Sequence, residues 1–146
     1  RKEWDHDRCP VCGTAEETTV HVLQCPHSQA TETWNTSIAK LEEWMTSEQT
    51  EPRLQIHLLQ RLQAWPTAPH RRPDRPQGAR LARALATQDN IGWYNFLMGR
   101  VATQITEHQH QHYQSLQHSK KTGYRWTVAL IEKLMGVAWD MWEQRS

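Results

Sequence analysis

The sequence predicts an all-α fold in which a small Cys/His knuckle over residues 1–27 precedes a bundle of about five helices. Two observations carry this expectation. From residue 28 onward, large apolar residues recur every three or four positions in successive segments, the period of a helix with one buried face. Between positions 9 and 25, three cysteines and a histidine are spaced so that a turn and a short helix bring them to one point. No strand and no internal repeat is evident.

The elements follow in order. Residues 1–8 form a polar lead that carries Trp4. From Ser28 to about Met45, the residues Ala30, Trp34, Ile38, Leu41 and Met45 lie at helical spacing. Thr50 is the expected N-cap of the next helix, with Pro52 in its first turn and Leu54, Leu58, Leu59, Leu62 and Trp65 on its buried face. Residues 28–65 thus read as a helical hairpin. The segment 66–77, PTAPHRRPDRPQ, is too rich in proline for helix or central strand and reads as a Pro/Arg-rich connector, the one internal boundary. A helix from about Gly78 to Thr87 presents Leu81 and Leu85, and Asp89 is expected to cap the one that follows. That next helix is expected to run from Asn90 to about Ser119, with Trp93, Phe96, Leu97, Val101, Ile105 and Leu116 apolar and a solvated Gln/His-rich second half. Lys120 to Gly123 has turn chemistry. A last helix, about Tyr124 to Gln144, aligns Trp126, Leu130, Leu134, Val137, Ala138 and Met141, completing a helical region over 78–146.

A chain of 146 residues suits one domain, or a small metal unit attached to a bundle. Only 37% of the residues are hydrophobic, but eight are tryptophan, so the core is expected to be built from a few large side chains. No apolar run reaches the roughly 18 residues of a membrane span, and the N-terminus lacks a basic, apolar and small-residue signal pattern. Three clustered cysteines cannot all pair with one another, and in a chain without a leader they are more often metal ligands. The expected setting is intracellular and reducing, cytoplasm or nucleus. A start at Arg1 suggests a piece of a longer polypeptide. The net charge of +1 is unevenly spread: ten acidic and six basic residues over 1–65, two acidic and five basic over 66–90, four acidic and six basic over 91–146. Any affinity for nucleic acid must therefore come from local patches rather than a global field.

The ligand types at Cys9, Cys12, His21 and Cys25 are those that zinc prefers. The Cys-x2-Cys turn brings two thiolates to one ion, and Gly13 permits the bend that follows. Thr18 or Thr19 can cap a short helix from which His21 and Cys25, four apart, project on the same side. Three thiolates and a neutral imidazole leave the complex at one negative charge, which a cation such as Arg8 would offset. Four protein ligands describe a closed structural site rather than a catalytic one. His27, two residues past Cys25, is an alternative to His21, and His6 a more distant one.

This segment, CPVCGTAEETTVHVLQCP, resembles the zinc-binding domain that follows the polymerase in reverse transcriptases of non-LTR retrotransposons. Members share Cys-x2-Cys-Gly, an acidic pair, a threonine, a ligand His and a final ligand Cys, then a helix bearing Ala and Trp, here Ala30 to Trp34. Near the C-terminus, Ala138 to Arg145 is similar to the W-x-x-W-x-x-R-N helix of plant elements, with Ser146 where Asn is common. The His21–Cys25 spacing is one residue shorter than in many members. The resemblance implies a C-terminal piece of a retroelement polyprotein or a domesticated relative, with the polymerase domain of the same polyprotein as a possible partner. Polymerase signatures are absent from the 146 residues.

Two basic stretches are candidates for contact with RNA or DNA: Arg71, Arg72, Arg75, Arg80 and Arg83, and Lys120, Lys121 and Arg125 beside Tyr124 and Trp126. Arginines can grip phosphates and an aromatic can stack on an unpaired base, although the same residues suit a solubilising linker and a solvated helix start. His108 and His112 share a helix face as in a two-histidine metal site, but a polar, exposed helix end is the simpler expectation. The tryptophans at 34, 93, 126 and 139 follow the apolar faces and read as core. No paired carboxylates, nucleophile beside a histidine, or phosphate-cradling glycine loop has usable spacing; Asp5-His6-Asp7 is suggestive only in composition. The expected role is a non-catalytic zinc module that binds RNA or DNA, with no membrane or small-molecule partner. The alternative is a structural or protein-interaction scaffold.

Overall fold

The computed structural model describes residues 8–71, 73 and 75–145, and these form seven helices and no strand. They are α1 (Thr19–Gln24), α2 (Ser28–Ser47), α3 (Pro52–Ala64), α4 (Ala79–Ile91), α5 (Trp93–Leu97), α6 (Thr103–Ser115) and α7 (Gly123–Gln144). The longest, α7, is the packing axis: it lies chiefly against α2 and α6 and also touches α1 and α5, while α3 packs on α2 and α4 on α6.

The apolar spacing explains which faces are buried. Ala30, Trp34, Ile38, Leu41 and Met45 of α2, the leucines of α3, and Trp126, Leu130, Leu134, Val137 and Met141 of α7 all sit in one core cluster. Cys9, Val22, Leu23 and Cys25 join it from the N-terminal unit, and Leu81, Leu85, Phe96 and Ile105 from beyond the connector. The 66–77 segment therefore separates helices in sequence but not two cores. Trp34 packs on Trp65 at 6.0 Å between ring centroids, Trp65 on Tyr94 at 6.3 Å, Trp93 on Phe96 at 4.8 Å and Trp44 on Trp126 at 6.1 Å. Each buried ring removes about 150–250 Å² from water, worth roughly 4–6 kcal/mol before the entropy of ordering it. The indole N–H groups find partners: Trp34 donates to the Leu62 carbonyl at 3.2 Å, Trp93 to Asp89 Oδ1 at 2.8 Å and Trp126 to Thr50 Oγ1 at 2.9 Å.

Several local expectations are corrected. Thr50 is not the cap of α3: its hydroxyl is taken by Trp126, and Glu51 caps instead, its carboxylate accepting the Arg53 N–H at 2.7 Å. Asp89 does not cap a following helix but lies inside α4, which runs on to Ile91, and it holds both Trp93 and the buried Arg61, whose Nε is 3.3 Å away. The single helix expected over 90–119 is two, because Gly92 (φ 103°) and Gly99 (φ 96°) take left-handed conformations that end α4 and α5. The Gln/His-rich half of that segment is not wholly solvated either, since Ile105, His108, Gln109 and Tyr113 of α6 are buried. Trp139 is not core: it is 65% exposed.

Candidate metal centre

Turns rather than a core shape the first unit. The Cys9 N–H donates to the Ala15 carbonyl at 2.9 Å and the Gly13 N–H to the Cys9 carbonyl at 2.8 Å, which folds 9–15 into a knuckle. Gly13 stands at φ +70°, where a side chain would be strained, as its place after Cys12 suggests. An antiparallel bridge pairs Arg8 with Glu16, and Arg8 Nη1 donates to the Thr14 carbonyl at 3.3 Å. The chain then enters α1, where the Thr18 hydroxyl accepts the His21 N–H at 3.0 Å as N-cap. His21 and Cys25, one helical turn apart, consequently face the knuckle.

The four side chains converge. Cys9 Sγ and Cys25 Sγ are 3.9 Å apart, Cys12 Sγ and His21 Nε2 are 3.4 Å apart, and all four ligand atoms lie within 4.8 Å of one another. Ligands placed tetrahedrally at zinc-type bond lengths of about 2.0–2.3 Å stand roughly 3.5–3.8 Å from each other. The cluster can hold one metal ion. Cys9 and Cys25 are buried, while Cys12 and His21 are half-buried. His27 is occupied elsewhere: its Nδ1 accepts the Gln29 N–H at 3.1 Å and caps α2.

The thiols are electrostatically unlike. Hydrogen bonding from the Thr14 side chain and backbone lowers the Cys12 pKa to about 5, and the Thr14 hydroxyl lies 3.5 Å from Cys12 Sγ. Burial pushes Cys25 up to about 11, with the neighbouring Cys12 and Cys9 sulfurs adding to the rise. The cost of deprotonating Cys25 beside the other sulfurs would be offset by a bound metal, which replaces the proton. The unit is tied to the bundle by Gln24 Nε2, 3.3 Å from the Trp65 carbonyl, and by the Arg145–Glu17 ion pair at 3.0 Å.

The basic residues do not gather at one place. Arg71 lines a cleft with His57, Gln60 and Pro73, whereas Arg80 and Arg83 line another with Gln104, Glu107 and Gln111 of α6. Arg75 is exposed, and Arg72 lies outside the described residues, as do residues 1–7 with Trp4 and His6, and Ser146. Lys120, Lys121 and Arg125 do come together, around a cleft of about 700 Å³ that also touches Glu48, Tyr113 and His118. Lys121 Nζ reaches Glu48 at 3.9 Å, and Tyr124, which does not line the cleft, is 74% exposed.

Sequence reasoning missed a buried polar network. Gln88 and Gln109 are both 0% exposed. Gln88 accepts the Ala102 N–H at 2.7 Å and donates to the Arg100 carbonyl at 3.1 Å, while Gln109 accepts the Glu51 N–H at 2.8 Å and donates to the Gln49 carbonyl at 3.2 Å. His108 Nε2 pairs with Glu51 in the same region and the side chain is buried, so His108 does not lie on the polar, exposed helix end that the sequence predicts. Nothing in a glutamine's spacing distinguishes these two from the exposed ones nearby. Comparison of the chain with protein families, curated proteins and solved structures finds no match. No helix among the described residues is long and apolar enough to cross a membrane.

Proposed function

We propose that this chain is a zinc-stapled, non-catalytic helical module of a retroelement reverse-transcriptase-like protein, and that it binds RNA or DNA through the cleft at the start of α7. The identity of the ion rests on the donor set: three soft sulfurs and one imidazole suit zinc, whereas calcium and magnesium want oxygen. Four protein ligands leave no position for a reacting water, so the ion's work is to fold residues 8–25 and aim α1 at the bundle. The retroelement assignment rests on the resemblance of residues 9–26, 30–34 and 138–145 alone.

The observation that carries nucleic-acid binding is the grouping of Lys120, Lys121 and Arg125 around one cleft, with the exposed Tyr124 next to Arg125 in the chain. Three cations can neutralise phosphates while the ring stacks on an unpaired base. Affinity for single-stranded RNA and for duplex DNA should fall with salt, with a log–log slope of about −2 to −3 for three phosphate contacts. The K120A/K121A variant should flatten that slope by about 1.5. Binding that is absent, or indifferent to salt and to these lysines, would sink the reading. A protein-interaction scaffold without nucleic-acid binding is the second reading, favoured by the exposed apolar face of α7.

A further inference from the structure

α7 carries two apolar stripes, one buried against the bundle and one largely exposed, along which Ile131 near Gly99 and Trp142 at the core's edge touch the rest of the fold. Trp126, Leu130, Leu134, Val137 and Met141 are buried against the bundle. On the other side Tyr124, Val128, Met135 and Trp139 are 74%, 42%, 65% and 65% exposed. The half-buried Ile131 and Trp142 fill the gaps, so the outer stripe reads 124, 128, 131, 135, 139, 142. Steps of three and four keep these residues on one face along the helix. Exposed apolar surface of this continuity marks an interaction site.

One border of the stripe is charged. Arg125, Glu132 and Glu143 flank it on the same side, with Gly136 between the two acids, and all four are exposed. When two copies of such a helix pack antiparallel about a two-fold axis, each border meets the same border of the other copy, end reversed. Arg125 then faces Glu143 of the second copy, and Glu132 faces Gly136, where a Cβ would find nothing within 4 Å. In that register Val128 lies beside Trp139, and Tyr124 beside Trp142. Parallel packing would instead set Arg125 against the border that holds Thr127 and Ala138, with no charge to meet it. From this self-complementarity we infer that the outer face of α7 docks a second copy of this chain, antiparallel, as an isologous dimer. The inference does not rest on the nucleic-acid reading, but the two share Tyr124 and Arg125, so a bound nucleic acid and a second copy would compete for these residues.

A single helix face is small for an interface, so a dissociation constant on the order of 10 μM is expected. Sedimentation of the zinc-loaded chain, without nucleic acid, from about 1 to 200 μM should show a monomer–dimer equilibrium. M135K/W139E should be monomeric at every concentration, with circular dichroism confirming that it stays folded. R125E and E143R should each weaken the dimer about tenfold, and R125E/E143R should restore it. These residues are 18 positions apart on one helix, about 27 Å, so rescue can only pass between copies. A monomer throughout the range, assembly beyond the dimer, or single-variant defects that the double variant leaves uncorrected would overturn the inference.

Discussion

Gln109 and Gln88 show how much of this core depends on single polar side chains. Each amide is sealed from water: Gln109 serves two backbone groups and joins α6 to the Gln49–Glu51 turn, and Gln88 serves three, joining α4 to Gly92 and to the Arg100–Ala102 segment. Replacing either with Leu keeps the volume but leaves buried N–H and C=O groups without partners, a loss of about 1–3 kcal/mol for each group orphaned. Urea unfolding of Gln109→Leu and Gln88→Leu should therefore show clearly lowered midpoints, and a neutral result would mean that water reaches these groups. Glu51 adds a pH dependence. Burial raises its pKa, but hydrogen bonds from His108 and the Arg53 N–H outweigh burial, and the net shift is downward. A carboxyl lowered in the folded state contributes stability above its ordinary unfolded value, and that contribution is lost as pH falls through the folded value. Stability measured from pH 7 to pH 3 should decline, and Glu51→Gln should be less stable at neutral pH with a shallower acid decline. An unchanged acid limb in that variant would assign the decline to other carboxyls.

Among the elements, the start of α7 is the most tightly constrained. A Cβ on Gly123 would stand 2.4 Å from the Thr106 carbonyl oxygen and 2.7 Å from His110 Cβ, and the Gly123 N–H donates to His110 Nδ1 at 3.0 Å. Backbone on one side leaves no flexible neighbour to yield. Gly123→Ala should cost about 1–3 kcal/mol through forced separation of α6 and α7, whereas Gly136→Ala, in open space on the same helix, should be neutral or mildly stabilising. Thermal melts of the two variants give the comparison, and equal melting temperatures would contradict the close α6–α7 approach. The break between α4, α5 and α6 has a different origin. Trp93, Phe96, Leu97 and Ile105 are all buried as their spacing predicts, yet Gly92 and Gly99 turn the chain between them. Apolar periodicity reports burial and says little about where two glycines divide one helix from the next.

Across the whole molecule, the metal centre and the bundle share one hydrophobic cluster, so removal of the ion should be felt beyond the knuckle. Residues 8–25 send only Cys9, Val22, Leu23 and Cys25 into the core, and in the proposed zinc-bound form ligation adds folding energy to them. A strong chelator should abolish hydrogen-exchange protection there first and weaken it at the C-terminal turn of α7, where Arg145 pairs with Glu17, while α3 to α6 stay protected. Cys12→Ser or Cys25→Ser should give the same pattern without chelator. Because the thiols must lose protons to bind metal, affinity should also fall as pH is lowered. Uniform protection with and without chelator, together with no metal found by elemental analysis, would remove the staple.

The Cys/His cluster, the all-helical class and most of the buried apolar positions were legible in the sequence, though not Val22, Leu23, Ala102 or Tyr113, because each legible feature depends on spacing within one segment: a turn plus one helical step for the cluster, a 3.6-residue period for the faces. Tertiary structure alone decided the rest. Trp139 and Trp126 lie on the same helix, and only the placement of α2 and α6 against α7 buries one and exposes the other. Thr50 has cap chemistry, but the indole of Trp126 claims its hydroxyl from 76 residues away, and Glu51 caps in its place. His108, Gln88 and Gln109 look solvated because polar residues usually are, yet long-range backbone groups needing partners draw them into the core. Partners distant in sequence set the environment of a side chain, and no local pattern encodes them.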